Sequence, residues 1–214
     1  VATIHHPITV DRRWAVRAEK STWRKLQRWR WYSCIGMQKR VARRLGYLIT
    51  VSENARRDIA REFSIPLHRL QTVPNGIDTD LFHPLPTIDR EPDRLIVTNS
   101  ADSPLKGLSH LLHALAELGR SRNHIKLVVI GAPSPKGEIA RLLGERGITQ
   151  RVEFTGRISD TDLVRHYARS AAAVVPSVYE GFGLPAGEAM ACGVPVISTT
   201  GGALPEVVGN AGML

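Results

Sequence analysis

The chain has 214 residues, of which 43% are hydrophobic and 23% charged, with a formal net charge of +9; these values are ordinary for a soluble globular protein with one large or two small domains. No apolar run approaches the roughly 18 residues of a membrane span, which excludes a transmembrane helix, and no signal peptide is recognised. Cys34 and Cys192 are the only cysteines, which argues against a disulfide scaffold and predicts a reducing, cytoplasmic compartment.

Residues 1–82 are predicted to belong to an N-terminal domain. They begin with what resembles the end of a buried strand, and residues 209–214 stop where another strand would begin, so we expect a fragment truncated at both ends. Residues 12–45 carry twelve Lys or Arg against a single acid, Glu19, and contain all four tryptophans. We predict that they form a basic, aromatic, helical arm on a nearly neutral body.

The rest of the chain alternates short strands with helices. Residues 47–52 and 70–74 predict strands, and Ser52 is placed to cap a helix over residues 53–63. Residues 83–93, rich in proline and charge, predict a linker. From residue 94 to 214, five β-branched strands alternate with amphipathic helices, which predicts a parallel sheet. The predicted fold class is therefore α/β, with one nearly complete Rossmann-like domain after a partial one.

In such sheets, ligands bind at the carboxyl ends of the strands, and the stretch E-G-F-G-L-P-A-G-E lies in one such loop. Gly181 and Gly183 allow backbone amides to approach an anion at the start of a helix predicted from Pro185 onward. Glu188, expected in the first turn of that helix, is suited to accept hydrogen bonds from ribose hydroxyls, and Glu180 is suited to face a sugar hydroxyl. A tight turn in which Glu188 only complements the helix dipole fits the same residues equally well.

Other binding motifs are absent from the sequence. The glycine spacing does not match a dinucleotide fingerprint, and no phosphate-binding P-loop occurs. His110 and His113 lie three residues apart on a predicted helix, but two histidines do not complete a ligand set and no Cys partner is near, so no metal site is predicted.

The segment S-V-Y-E-G-F-G-L-P-A-G-E-A-M-A-C-G resembles the donor-site signature of retaining GT-B glycosyltransferases of family 4, whose E-x7-E motif it contains. The segments VSENARRDI, VPNGIDTDLFHP, LKGLSHLLHAL and EFTGRISD agree with this resemblance. It implies two Rossmann domains with the active site in the cleft between them. It also implies metal-independent, retaining transfer of a sugar from a UDP-, GDP- or ADP-linked donor to a hydroxyl acceptor, with no cofactor.

The resemblance assigns the donor-binding residues. It places Glu188 on the donor ribose and Glu180 on the hydroxyls of the transferred sugar, and the amides of the loop hold the diphosphate. Those amides belong to the segment Gly181, Phe182, Gly183 and Leu184.

Further roles come from other loops. Lys106 corresponds to the lysine that neutralises the leaving diphosphate, and Arg157 and Ile158 correspond to the loop that packs on the nucleobase. Taken alone, Lys106 and Arg157 fit solvated surface cations as well. Ser100 stands where the family usually has an arginine, which implies weaker charge compensation at that position.

His5 and His6 follow the first predicted strand, where the family places a histidine facing the reacting carbon. His5 matches that histidine better, and His6 is expected to pack beside it. A histidine that is only a satisfied loop residue fits the same position. No second carboxylate is placed as a nucleophile, so attack from the same face as the leaving phosphate is expected.

The basic arm, residues 12–45, allows several interpretations. A Trp- and Arg-rich amphipathic helix suits an anionic membrane surface, where each cation adds roughly 1 kcal/mol, and would place the protein peripherally at the inner face with a lipid-linked acceptor. A solvated helix whose tryptophans pack on the rest of the domain is the alternative. Nucleic acid is not expected, because no base-reading motif occurs.

The competing function is a fragment that binds a nucleotide or nucleotide sugar without turnover, since much of the acceptor side is expected to be missing. An epimerase would need further acids near the sugar carbon, and a phosphorylase would need a lysine-bound pyridoxal phosphate. Neither pattern is recognised.

Overall fold

The computed structural model describes residues 1–98, 103–119, 121–135 and 137–214. Two compact units are formed. Unit 1 consists of Val1–Gly76, Tyr179–Gly183 and Gly201–Glu206. Unit 2 consists of Ile77–Val178, Leu184–Thr200 and Val207–Leu214.

The strands within the described ranges are β1 Ala2–Thr3, β2 Leu48–Thr50, β3 Leu70–Thr72, β4 Glu91–Thr98, β5 Lys126–Ile130, β6 Val152–Phe154, β7 Ser170–Val175 and β8 Val196–Ser198. The α-helices there are α1 Thr9–Ala18, α2 Thr22–Trp31, α3 Ile35–Arg44, α4 Glu53–Phe63, α5 Leu108–Leu118, α6 Glu138–Arg146, α7 Asp160–Arg169, α8 Leu184–Ala191 and α9 Leu204–Val208. Short 3-10 turns lie at Tyr32–Cys34, Leu67–Arg69, Pro104–Lys106 and Thr149–Arg151.

The sheet of unit 1 has three parallel strands in the order β1-β2-β3, and α4 packs on it. The buried residues of α4 are Ala55, Ile59 and Phe63, whose spacing of four places them on one face of the helix. As predicted, the Ser52 side chain caps α4 by accepting a hydrogen bond from the amide of Ala55. The capped helix therefore starts at a fixed position beside the end of β2.

The predicted basic arm is helical, but three helices, α1 to α3, form it. The chain is extended at Glu19 and Ser21, and this extension separates α1 from α2. No residue of α2 is buried, whereas α3 buries Ile35 and Ala42. The middle helix of the arm therefore presents all its side chains to solvent within unit 1.

Unit 2 contains the five predicted strands, all parallel, in the order β6-β5-β4-β7-β8. Three successive buried residues, Leu127 to Val129, mark β5 as covered on both faces. Strand β4 begins at Glu91, three residues before the predicted strand start, because Glu91 pairs with Ser170 of β7. The last residues of the predicted linker are thus part of the sheet. Because all five strands are parallel, their carboxyl ends lie at one edge of the sheet.

Candidate functional site

Lys106 lies in a 3-10 turn that follows β4 and is held against the loop after β7. The amide of Val178 donates to the carbonyl of Leu105 at 2.8 Å. Gly107, next to Lys106, has a φ of +66°, and a Cβ atom there would lie 1.9 Å from the carbonyl oxygen of Pro176. Only glycine fits this close backbone approach. The sequence Lys106-Gly107 is therefore fixed in place by backbone geometry.

Glu188 lies in the second turn of α8, not in the first turn as the sequence predicted. The helix begins at Leu184, one residue before Pro185, so Glu188 is its fifth residue. Burial raises the pKa of the Glu188 carboxyl, and a hydrogen bond from Tyr167 partly opposes this shift.

Tyr167 and Cys192 are the buried neighbours of Glu188. The Tyr167 hydroxyl lies 3.5 Å from Oε2 of Glu188 and 3.4 Å from the carbonyl oxygen of Pro185. Burial, followed by the charge of Glu188, raises the pKa of the Cys192 thiol to about 11. Glu188 is thus a half-buried carboxylate in contact with one phenol donor.

Arg157 and Ile158 lie in the connection between β6 and α7. Arg157 is exposed and Ile158 is half-buried. The preceding residue, Gly156, donates its amide to the carbonyl of Gly131 at 3.0 Å, which joins this connection to the one after β5. Lys106 and Arg157 thus lie in the connections that follow β4 and β6, and Glu188 lies in helix α8, which follows β7 of the same parallel sheet. Ser100, the remaining predicted residue of this edge, lies outside the described residues.

Glu180 belongs to unit 1, where its backbone is held from several sides. Its carbonyl accepts a hydrogen bond from the amide of Ala203 at 2.9 Å. The next carbonyl, that of Gly181, accepts a bond from the Ser52 hydroxyl at 2.7 Å. On the other side, the Tyr179 hydroxyl donates to Oδ2 of Asp58 at 2.9 Å. The peptide that carries the predicted sugar-binding carboxylate is therefore fixed by three neighbouring residues.

Unit 1 also brings both predicted histidines to this segment. A Cβ atom at Gly181 would lie 2.9 Å from the carbonyl oxygen of His5 and 3.0 Å from Cβ of His6. The His6 ring lies between neighbours: Nε2 is 2.8 Å from Oδ2 of Asp11, and its centroid is 6.0 Å from that of Tyr179. His5 is exposed. The geometry therefore distinguishes a packed His6 from a solvent-facing His5.

Asp11 is a site residue that sequence reasoning missed. It lies in the first turn of α1, where an acidic residue is unremarkable as a dipole complement. Its distance of five residues from His6 matches no helical or strand period, so the pairing depends on how the chain turns from β1 into α1. In the sequence, the pairing could be suspected only because Asp11, in the first turn of a helix, follows His6 closely.

Two properties concern other ligands. Within the described ranges, no group of three or more His, Cys, Asp or Glu side chains is arranged to hold a metal ion. In the same ranges, no helix combines the length and apolar content needed to cross a bilayer.

Comparison with known families covers most of the chain. Residues 1–81 match the family described as Glycosyltransferase Family 4. Residues 87–212, more than half of the chain, match the family described as Glycosyl transferases group 1. The chain belongs to this family of glycosyl transferases. The predicted resemblance to GT-B enzymes of family 4 and the predicted α/β fold are confirmed.

Individual relatives agree with this assignment. The MMP alpha-(1->4)-mannosyltransferase of Mycolicibacterium hassiacum is 46% identical over 212 residues, which are 99% of this chain and 51% of that protein. The O-antigen chain mannosyltransferase B of Escherichia coli is 33% identical over 177 residues, covering 78% of this chain and 46% of that protein. The structure of sucrose-phosphate synthase from Thermosynechococcus elongatus matches with a TM-score of 0.76 and 25% identity, over 99% of this chain and 53% of that one. The chain spans about half the length of the curated relatives it matches.

Proposed function

We propose that this chain forms the donor-binding part of a retaining, metal-independent glycosyltransferase that transfers mannose from a nucleoside diphosphate to a hydroxyl acceptor. The observation that supports this most strongly is the pair of glycosyltransferase family matches, which together extend from residue 1 to 212 and include the E-x7-E motif. Mannose is proposed because both curated relatives described above are named mannosyltransferases.

In this proposal each candidate residue has a distinct role. Glu188 accepts hydrogen bonds from the ribose hydroxyls, a role supported by its half-buried position beside one phenol donor. Lys106 and the amides of the glycine-rich loop balance the charge of the diphosphate as it leaves. Arg157 and Ile158 pack on the nucleobase. Glu180 recognises the hydroxyls of the transferred sugar.

The chemistry proceeds on one face of the sugar. The acceptor oxygen forms a bond to the anomeric carbon while the bond from that carbon to the diphosphate oxygen breaks, and the acceptor proton passes to the leaving phosphate. His5, which is exposed beside Gly181, is proposed to face the reacting carbon. His6 is proposed to support this loop through Asp11. No residue is required as a covalent nucleophile.

Titration calorimetry with UDP, GDP and ADP, each free and linked to mannose or glucose, tests the donor site. One nucleotide is expected to bind with a dissociation constant between micromolar and millimolar, and its mannose form is expected to bind more tightly. Glu188→Ala is expected to weaken binding of the free nucleoside diphosphate, whereas Glu180→Ala is expected to weaken binding of the nucleotide sugar only. Absence of binding by all of them would contradict the donor-site proposal. Product formation with hydroxyl acceptors separates transfer from binding without turnover.

We also propose that α2 places the protein on an anionic membrane surface at the cytoplasmic face. The exposed fractions of Trp23, Leu26 and Trp31 are 66%, 56% and 79%, and their spacing places them on a common side of the helix. Gln27 and Arg30 lie between them, and the remaining surface of the same helix carries Arg24, Lys25, Arg28 and Trp29. Tryptophans and basic side chains mixed around one exposed helix suit the interface of an anionic membrane. Such a position suits a lipid-linked acceptor.

Co-sedimentation with lipid vesicles tests this second proposal. Binding is expected to phosphatidylglycerol vesicles and to decrease with added salt, because surface attraction is screened. Trp23→Ala with Trp31→Ala is expected to abolish it. Equal binding to neutral phosphatidylcholine vesicles, or unchanged binding by the double variant, would contradict it.

A further inference from the structure

The start of helix α4 is the point on which two distant segments of unit 1 are anchored. The carboxylate of Glu206 accepts hydrogen bonds from the amide of Glu53 at 2.8 Å and from that of Asn54 at 2.6 Å. The hydroxyl oxygen of Ser52 accepts from the amide of Ala55 at 3.0 Å. The first three amides of the helix, which have no partner within it, are thereby satisfied. A segment that is hydrogen-bonded to the start of α4, as Glu206 is, is therefore held in a fixed position relative to this helix.

Ser52 has a second bond that helix capping does not require. It is 3% exposed, and its hydroxyl proton is donated to the carbonyl of Gly181 at 2.7 Å. A serine hydroxyl has one proton, so this donor is fully used. The same side chain therefore joins the start of α4 to the carbonyl of Gly181, the residue directly after Glu180.

The segment that receives this bond has little freedom to move. Gly181 is buried and has no space for a Cβ atom because His5 and His6 lie 2.9 to 3.0 Å from that position. The preceding carbonyl, that of Glu180, accepts from Ala203. A buried carbonyl deprived of its donor would have to find another one, which requires a shift of this tightly packed backbone.

We propose that Ser52 is a positioning residue for Glu180, which it orients toward the transferred sugar by holding the following peptide. This inference rests on the proposed function, in which Glu180 recognises sugar hydroxyls. Ser52 does not touch the donor. Replacing Ser52 is therefore expected to reduce only the contribution that the sugar makes to donor affinity. That contribution is measured as the ratio of the dissociation constant of the free nucleoside diphosphate to that of the nucleotide sugar.

Two variants of Ser52 separate the hydrogen bond to Gly181 from helix capping. Ser52→Ala removes both, whereas Ser52→Asp keeps a strong capping acceptor but has no proton to donate at neutral pH. Ser52→Ala is expected to lower the ratio about 5-fold, the effect of one lost hydrogen bond, and Ser52→Asp to lower it at least as much, because its carboxylate would face the carbonyl oxygen of Gly181. Ser52→Thr keeps the hydroxyl and is expected to stay within about 2-fold of the wild type.

Ser159→Ala is the matched control. Ser159 caps α7 by accepting from the amide of Asp162 at 3.1 Å, and it lies in unit 2. Its loss removes a helix cap without touching Gly181, so the ratio is expected to remain that of the wild type. Thermal unfolding of every variant accompanies the titrations.

The outcomes are distinguishable. A ratio near the wild-type value in both Ser52→Ala and Ser52→Asp, while Glu180→Ala lowers it, would overturn the role of Ser52 and leave the proposed function intact. A decrease in Ser52→Thr equal to that in Ser52→Ala would also overturn it. If Glu180→Ala itself leaves the ratio unchanged, the proposed role of Glu180 is wrong, and the inference about Ser52 is wrong with it.

Discussion

Replacement of Gly107 by alanine is expected to destabilise unit 2 through backbone overlap. The new Cβ atom would lie 1.9 Å from the carbonyl oxygen of Pro176, and the two atoms would have to separate by about 1.1 Å to reach the 3.0 Å that real Cβ atoms respect. The neighbour is backbone within a loop hydrogen-bonded to Leu105, so no side-chain rotation relieves the overlap. Overpacking of this kind costs about 1–3 kcal/mol.

The control is Gly147→Ala in the same unit. Gly147 has a φ of +64°, close to the +66° of Gly107, but nothing lies within 4 Å of its Cβ position. Its alanine variant therefore reports only the cost of the left-handed conformation, about 1 kcal/mol. We expect Gly107→Ala to lose a further ~2 kcal/mol in free energy of unfolding, or roughly 5–10 °C in Tm.

Denaturant and thermal unfolding followed by circular dichroism measure this difference. If the two variants lie within about 0.5 kcal/mol of each other, the overlap with Pro176 does not constrain the chain, and the reasoning is refuted. Because Gly107 follows Lys106, we also expect Gly107→Ala, and not Gly147→Ala, to weaken binding of the nucleoside diphosphate.

Three further predictions concern single side chains. Burial raises the pKa of Glu188, so nucleotide affinity should fall as the pH decreases through that pKa and the carboxylate loses its charge. Glu188→Gln should lack this pH dependence when affinity is measured by calorimetry. The same pH dependence in Glu188→Gln and in the wild type would contradict the prediction. Thiol labelling at about pH 8 should modify exposed Cys34 in the native protein and Cys192 only after unfolding; equal rates would argue against the buried position. Ser64→Gly should stabilise the protein by about 0.5–1 kcal/mol, because Ser64 has a φ of 54° at the end of α4; a lower denaturation midpoint would be inconsistent with strain there.

Local sequence patterns were sufficient to predict most of the strands and helices of unit 2. The strands of its sheet are short apolar runs, and α5, α6 and α7 have apolar residues on one face, so the order of elements could be derived without tertiary information. The Ser52 cap was also predictable because capping depends on residues only three positions apart.

Element boundaries near prolines were less predictable. Pro185 suggested the start of α8, but the helix begins at Leu184, and this single residue moves Glu188 from the first turn to the second. Helix α9 was missed because it is only five residues long and has a proline at its second position. Such short helices are determined by packing, not by periodicity.

The supporting contacts of the candidate site could not be predicted. Glu206 and the amides of α4 lie about 150 positions apart in the chain. Ser52 and Gly181 are separated almost as widely. A single sequence carries no signal for such pairs, since each residue has an ordinary local explanation as a cap or a turn. The candidate carboxylates were recognisable by motif, whereas the groups that orient them were not.

The division of the chain into units has a consequence for synthesis and for engineering. Unit 1 takes most of its residues from Val1–Gly76, but Tyr179–Gly183 and Gly201–Glu206 complete it. A nascent chain that ends near Gly76 therefore lacks the partner of the Ser52 hydroxyl and the carboxylate that caps α4, and these arrive roughly a hundred residues later. Expression of the first segment alone would yield an incomplete unit. Co-expression of two pieces split in an exposed loop between 77 and 90 offers a way to ask whether the late segments can complete it from a separate chain.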